Sequence, residues 1–296
     1  MKTKIINDRI ASVVMLFCTS VLVLLVFAIC GGLIVKSQPL LSENSLWELI
    51  SSSAWRPSEG QFGFLPFIMG TLWVTALAIV WTLPLALLTS LFLTEIAPKW
   101  LRKIVFPLLD ILAGIPSVVF GVWGIVVVVP WVSEWLAPKF VDYSTGYTML
   151  SAGVVLGLMV LPLMASLFIE LFSTTPQRLR EASLSLGATT WQTTRSVVLK
   201  KNTPGIIAVV ILSISRAMGE TIAVLMVCGN IIQIPQSPLD GGYPIPALIA
   251  NNYGEMMSIP MYDSALMFAA LLLFAIVLIF NLISRVILRK IENKYN

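Results

Sequence analysis

Residues 10–35 read IASVVMLFCTSVLVLLVFAICGGLIV, 26 consecutive positions without a charged side chain. A helix advances about 1.5 Å per residue, so about 20 apolar residues cross the hydrocarbon core of a bilayer. This run is long enough to span. It is too long for the apolar core of a cleavable signal, which takes about 7–15 residues. Phe27-Ala28-Ile29-Cys30 is also a poor lipoprotein cleavage box, because bulky Ile29 stands where a small residue is wanted. The segment is expected to remain as a membrane helix.

The same test finds five more spans along the chain: Leu65–Thr94, Val105–Val132, Met149–Phe172, Gly205–Ile232 and Ser264–Ile287. Composition agrees, with 57% hydrophobic and 11% charged residues over 296 positions. Soluble domains carry about 25% charge. The expected fold class is all-α integral membrane, with six transmembrane helices. Histidine is absent, which removes the commonest metal ligand. Cys18, Cys30 and Cys228 sit in apolar stretches without metal-ligand spacing and read as small core residues. No metal, cofactor or catalytic group is expected, and membrane lipid rather than nucleic acid is the surrounding.

Positive charge orients the bundle. With the N-terminus inside, 15 of the 19 Lys and Arg fall on inner segments, including Lys99, Arg102, Arg178, Arg180, Arg195 and Arg289. Only Lys36, Arg56 and Lys139 fall outside, and Arg216 lies within a span. Both termini are therefore expected in the cytoplasm. Pro84, Pro116 and Pro162 are expected inside spans, where each removes a backbone hydrogen bond. Gly153-Val-Val-Leu-Gly157 allows two helices to approach closely. Ser37–Phe64 and Ile234–Asp263 read as outer connecting segments. Trp47, Trp55, Trp73, Trp131 and Trp135 read as interfacial anchors. Asp110 and Glu170 are expected near the cytoplasmic ends of spans, solvated at the interface.

The longest inner loop, residues 173–204, has its own helical pattern. Thr175 is the expected N-cap, Pro176 the first helical residue and Gly187 the stop. Leu179, Ala182 and Leu186 give a narrow apolar face. A second short helix is expected over about Trp191–Leu199, making a lever below the membrane suited to a cytoplasmic partner.

Glu181-Ala182-Ser183-Leu-Ser-Leu-Gly187, followed nine residues later by Val197-Val198-Leu199, resembles the "EAA" loop of ABC importer permeases. The family pattern runs Glu-Ala-Ala, three residues, Gly, nine residues, Ile-x-Leu-Pro. Ser183 replaces its second Ala and Lys200 its Pro. The resemblance implies that Glu181, Ala182, Ser183, Gly187 and Trp191 couple to an ATP-hydrolysing subunit. Ile115-Pro116-Ser117-Val-Val-Phe-Gly-Val-Trp-Gly124 resembles the third span of phosphate-specific (Pst) permeases. Ser215-Arg216-Ala-Met-Gly-Glu220-Thr221-Ile-Ala-Val224, continuing to Gly229-Asn230, resembles the fifth span of the PstC type, as Phe67–Leu72 fits that type too. The sister PstA type tends to carry Ala-Pro where this chain has Ile222-Ala223. The resemblance covers about Trp55 to the C-terminus. It implies a type I ABC importer permease-like bundle, with residues 1–64 as an N-terminal helix plus external segment and residues 65–296 as a five-helix core. It also implies three partners: a PstA-like sister permease, a PstB-like ATPase dimer and a PstS-like phosphate-binding protein. The setting implied is a bacterial inner membrane.

Arg216 and Glu220 read as mid-span charges four residues apart on one helix face. One charge at a helix centre costs about 2.5–3.5 kcal/mol on insertion scales, so such residues face a bundle interior or a water-filled path. Arg-before-Glu is the less favourable order for pairing, and a guanidinium fork suits phosphate oxygens. Arg216, Glu220, Thr221, Pro116 and Ser117 are the expected translocation-path residues. The alternative for the pair is a structural ion pair that locks helices together. No GxxxxGK[ST] loop occurs, so the chain carries no ATP site of that kind. A permease for another oxyanion, such as sulfate or molybdate, is the neighbouring reading. An ion-coupled secondary transporter is the competitor from another class, and it leaves the Glu181–Gly187 loop without a role.

Overall fold

The computed structural model describes residues 2–255 and 259–295, with side chains from residue 11 to residue 289 within that range. Lys2, Lys4, Arg9, Lys290 and Lys294 of the charge count lie outside the described side chains. Six helical segments are long and apolar enough to cross a membrane: Ala11–Glu43, Leu65–Ile96, Ser117–Lys139, Met149–Ser173, Thr190–Met218 and Tyr262–Arg289.

The first segment belongs to α1 (Lys2–Glu43), which continues past the expected end at Val35. A short α2 (Leu46–Ser51) and a two-stranded hairpin follow. The hairpin pairs β1 (Trp55–Arg56) with β2 (Gln61–Phe62), antiparallel, around a tight turn closed by Gly60 at φ 73°. This connection, expected outside, is thus folded rather than a loop. Trp55 is half-buried. It packs edge-on against Phe62, Phe64, Phe67 and Tyr262, in the aromatic cluster that joins the hairpin to the bundle. Trp73 likewise packs on the core, while Trp47, Trp131 and Trp135 remain exposed.

The core is the pair α3 (Leu65–Leu91) and, later in the chain, the helix Met149–Ser173. Gly153 sits over Leu77, where a Cβ would come within 2.6 Å of the leucine Cβ, and Gly157 sits over the Trp81 ring. Further along, the Ser90 hydroxyl donates to the Ala165 carbonyl at 3.0 Å. These contacts advance in the same direction on both helices, so the two run parallel. A residue larger than glycine at either position would push the backbones apart. The glycine pair therefore permits a close approach of these two helices, and Pro84 and Pro162 lie within them.

Between them, the expected third span is redrawn. A π turn (Phe92–Ile96) ends α3, and α4 (Lys99–Gly114) follows as a separate helix burying only Leu109. The chain breaks at Ile115, which is extended at φ −67°, ψ 129°. Proline disfavours the helical conformation of the residue before it, and Pro116 does so here. Pro116 then stands at the N-cap of α5 (Ser117–Trp123), not inside a span. The helix proceeds through a π turn (Gly124–Val128), α6 (Val129–Trp131) and a second π turn (Val132–Leu136). Pro130 lies between the two turns, and its missing N–H disrupts the regular ladder.

After α7 (Met149–Ser173) come α8 (Gln177–Ser185) and α9 (Thr190–Thr193). A π turn (Thr194–Val198) joins α9 to α10 (Leu199–Met218), so the expected second lever helix is the start of the fifth span itself. The fifth span ends at Met218, well before the expected Ile232. A single-turn α11 (Ile222–Leu225), a folded connection and α12 (Ile245–Asn252) lead to α13 (Tyr262–Tyr295), along which α1 packs. In that connection Cys228 is buried, and burial pushes its thiol up to about 12. Cys18 is exposed on α1 and Cys30 half-buried, so only Cys228 is a core residue.

Candidate translocation and coupling site

Arg216 occupies the last turn of α10, and Glu220 lies beyond the helix end. The final backbone bonds tighten to i−3, Gly219 to Arg216 and Glu220 to Ala217, both 3.2 Å. Glycine is a poor helix former, and Gly219 stands where the helix stops. The expected mid-helix pair on one face is therefore absent. No ion pair or side-chain hydrogen bond joins Arg216 to Glu220 among the described residues. Arg216 is exposed in the isolated chain. Glu220 is half-buried in a narrow crevice lined by Thr71 and Thr75 of α3, Val224 of α11 and Pro244. Thr221 stands at the N-cap of α11, its hydroxyl donating to the Gly219 carbonyl at 3.2 Å.

A second helix break faces this one. Pro116 is exposed and Ser117 half-buried at the start of α5. α5 packs on α11 through Gly121, where a Cβ would lie 3.3 Å from the Ala223 Cα. The two broken segments are thus brought together, although no hydrogen bond joins Ser117 to Arg216 among the described residues. Near by, Asn281 of α13 donates to the Ser215 hydroxyl at 3.0 Å, beside Arg216. Sequence reasoning did not single out Asn281; an amide in an otherwise apolar span was the available signal.

At the other end of α7, the corner around α8 is held by a polar network. Pro176, not Thr175, is the N-cap of α8. Thr175 is buried, and its hydroxyl accepts from the Asn202 amide at 2.7 Å. Ser183 shares a hydrogen bond with the Thr193 hydroxyl at 2.9 Å, tying α8 to α9. An alanine there could not make that bond. Gly187 turns the chain at φ +85°, a conformation that suits a residue without a Cβ. A capping box, Thr189 with Gln192, then starts α9. Glu181 and Ala182 are exposed, as are Leu179, Leu186 (90%) and Trp191 (54%). The expected apolar face of α8 thus has no partner among the described residues. Asp110 and Glu170 are exposed as well, on α4 and the last turns of α7.

The sequence reading passed over Arg180. Its guanidinium meets Glu95 in a two-pronged ion pair, Nε to Oε2 at 2.9 Å and Nη2 to Oε1 at 2.8 Å. It also donates to the Phe172 carbonyl at 2.9 Å and to the Thr175 carbonyl. The signal available was Glu95 itself, a carboxylate at the end of a long apolar run. Among the described residues no group of three His, Cys, Asp or Glu could hold a metal.

Six helices long and apolar enough to cross a bilayer describe a multi-pass membrane protein. The chain belongs to the family of binding-protein-dependent transport system inner membrane components, which matches it over residues 86–295. Among its relatives, the phosphate transport system permease protein PstC of Xylella fastidiosa (strain 9a5c) is 35% identical over 257 residues, covering 82% of this chain and 79% of the relative. A probable ABC transporter permease protein of Bacillus subtilis (strain 168), YqgH, is 36% identical over 242 residues, covering 81% and 77%. The fold matches the inward-facing MetNI methionine ABC transporter with a TM-score of 0.56 at 22% identity, over 75% of this chain and 91% of that one. The bundle is that of a type I ABC importer permease, which leaves a secondary transporter without support.

Proposed function

We propose that this chain is a PstC-type permease, a membrane-spanning subunit of an ATP-driven importer of inorganic phosphate. The observation that carries the phosphate reading is Arg216. It is a permanently charged guanidinium, exposed at a helix break and without a hydrogen bond or ion pair among the described residues. Its planar fork suits two phosphate oxygens. The first amides of α5, at Ser117, add the positive end of a helix at a neighbouring break, as discontinuous transporter helices do for anionic substrates. Glu220 limits how tightly the anion is held, since a carboxylate repels it and a path must release its cargo, and Thr221 stands beside it at the N-cap of α11 as a further polar group of the path. Pro116 keeps the break open.

ATP is hydrolysed by a separate partner, a PstB-like dimer that docks on Glu181, Ala182, Ser183, Gly187 and Trp191. The exposed Leu179, Leu186 and Trp191 offer it an apolar surface. A PstA-like sister permease completes the path, and a PstS-like protein delivers phosphate at the opposite end. Residues 65–296 form the five-helix core with coupling loop 173–204, and residues 1–64 an accessory helix and external segment. The setting is a bacterial inner membrane, and the Lys and Arg bias places both termini in the cytoplasm.

Two measurements check this. The chain reconstituted in proteoliposomes with the three partners should take up labelled phosphate on ATP hydrolysis, unaffected by excess sulfate or molybdate. Equal competition by sulfate would move the reading to another oxyanion. A reporter fused after Asn296 should report a cytoplasmic location and one inserted near Ser45 an external one. An external C-terminus would overturn the six-span orientation.

A further inference from the structure

None of the nine residues of α8 is fully buried, and a helix this short has little stability of its own. Its position depends on what fastens it. Ser183 ties it to α9, and Asn202 ties the preceding corner to α10. Both links lead into the fifth span. Among the described residues, the link from α8 to the π turn at the end of α3 is the Arg180–Glu95 ion pair.

The pair is enclosed, with side chains 15% and 6% exposed. The same guanidinium grips the Phe172 and Thr175 carbonyls at the end of α7, so one side chain joins α8, α3 and α7. A buried ion pair adds little net stability, because desolvation offsets the attraction. What a two-pronged contact does add is a fixed distance and a fixed orientation. On the other side of the same turn, Arg102 of α4 donates to the Thr94 and Ala97 carbonyls at 2.9 and 3.0 Å. The turn around Glu95 is thus held by α8 on one side and α4 on the other. α4 ends at the Pro116 break, from which α5 runs to α11.

We propose that Glu95 and Arg180 form the joint that delivers movement of α8 to α3, α7 and α4. They are positioning residues that set how much transport each ATP drives, and this rests on reading the chain as a permease powered by a separate ATPase. Without the joint, displacement of α8 reaches only α7, through the chain itself, and the fifth span, and the two helix breaks at Pro116 and Gly219 are no longer moved together.

The test uses the complete reconstituted complex and the Glu95→Gln, Arg180→Gln double variant, which leaves no unpaired buried charge. Three quantities are measured: co-purification of the ATPase, stimulation of hydrolysis by loaded binding protein, and phosphate imported per ATP. Normal co-purification is expected, with import per ATP reduced about tenfold, the scale of coupling within one ion-pair network. Stimulation by the binding protein should fall in parallel. A purely structural pair predicts that the double variant, with no charge left unpaired, couples as fully as the wild type once assembled; that result overturns the joint. If the double variant does not assemble, Arg180→Lys decides. It keeps the charge and loses the fork, so reduced import per ATP supports the joint and a wild-type ratio refutes it. A wild-type complex that couples normally to another oxyanion would fail the phosphate reading and leave the joint to be judged on stimulation alone. A wild-type chain that binds no ATPase sinks both.

Discussion

Arg216→Gln is expected to remove most phosphate uptake while the protein still inserts and assembles. The glutamine keeps length and polarity but loses the charge and the fork. Hydrogen bonds to charged groups contribute about 1.5–3 kcal/mol, which predicts a loss of roughly tenfold to a hundredfold. Assembly should survive because the structure gives this guanidinium no partner to abandon among the described residues. Lysine should restore only part of the activity, since an ammonium supplies charge without planar donors. Glu220→Gln should likewise assemble and show altered turnover, because its carboxylate is not neutralising Arg216 in this geometry. The control is Arg216→Gln with Glu220→Gln, which removes both charges. Wild-type uptake by that double variant, at equal protein level, would show that neither residue lines the path.

Gly187→Trp should uncouple the permease from its ATPase without disturbing the membrane bundle. At φ +85° the backbone is left-handed, which costs a residue with a Cβ about 1–2 kcal/mol. Nothing lies within 4 Å of a Cβ placed there, so a side chain leaves the backbone into open space. The ring would project beside the exposed face of Leu186 and Trp191, where the partner is proposed to sit. Co-purified ATPase should fall by more than about tenfold, because the strain alone is equivalent to about that factor. Gly187→Ala separates the causes: it carries the backbone strain without the bulk, so a milder defect assigns the remainder to the docking surface. Normal ATPase binding and uptake in the tryptophan variant would remove the main support for coupling through this turn.

The six spans and the type of fold were legible in the linear pattern. Long charge-free runs such as residues 10–35 can satisfy their backbone in a bilayer only as helices, and that follows from composition alone. Gly187 announced its turn because few other residues adopt a positive φ. The Gly153 and Gly157 spacing announced a close approach but not its partner; Leu77 and Trp81 of α3 were decided by packing. Span ends were legible least well. Apolar residues continue across Gly114–Pro116 and across Gly219–Thr221, so hydropathy runs straight through both breaks, whereas backbone geometry stops at them. The same limit turned Arg216 and Glu220 from a presumed helical pair into residues on either side of a helix end. Arg180 and Glu95 are 85 positions apart, and their joining depends on α3 and α7 lying parallel with both ends at one corner. Pattern along a chain reports local periodicity and solvent preference. Which distant charges meet is set by how helices pack, and that information exists only once the chain has folded.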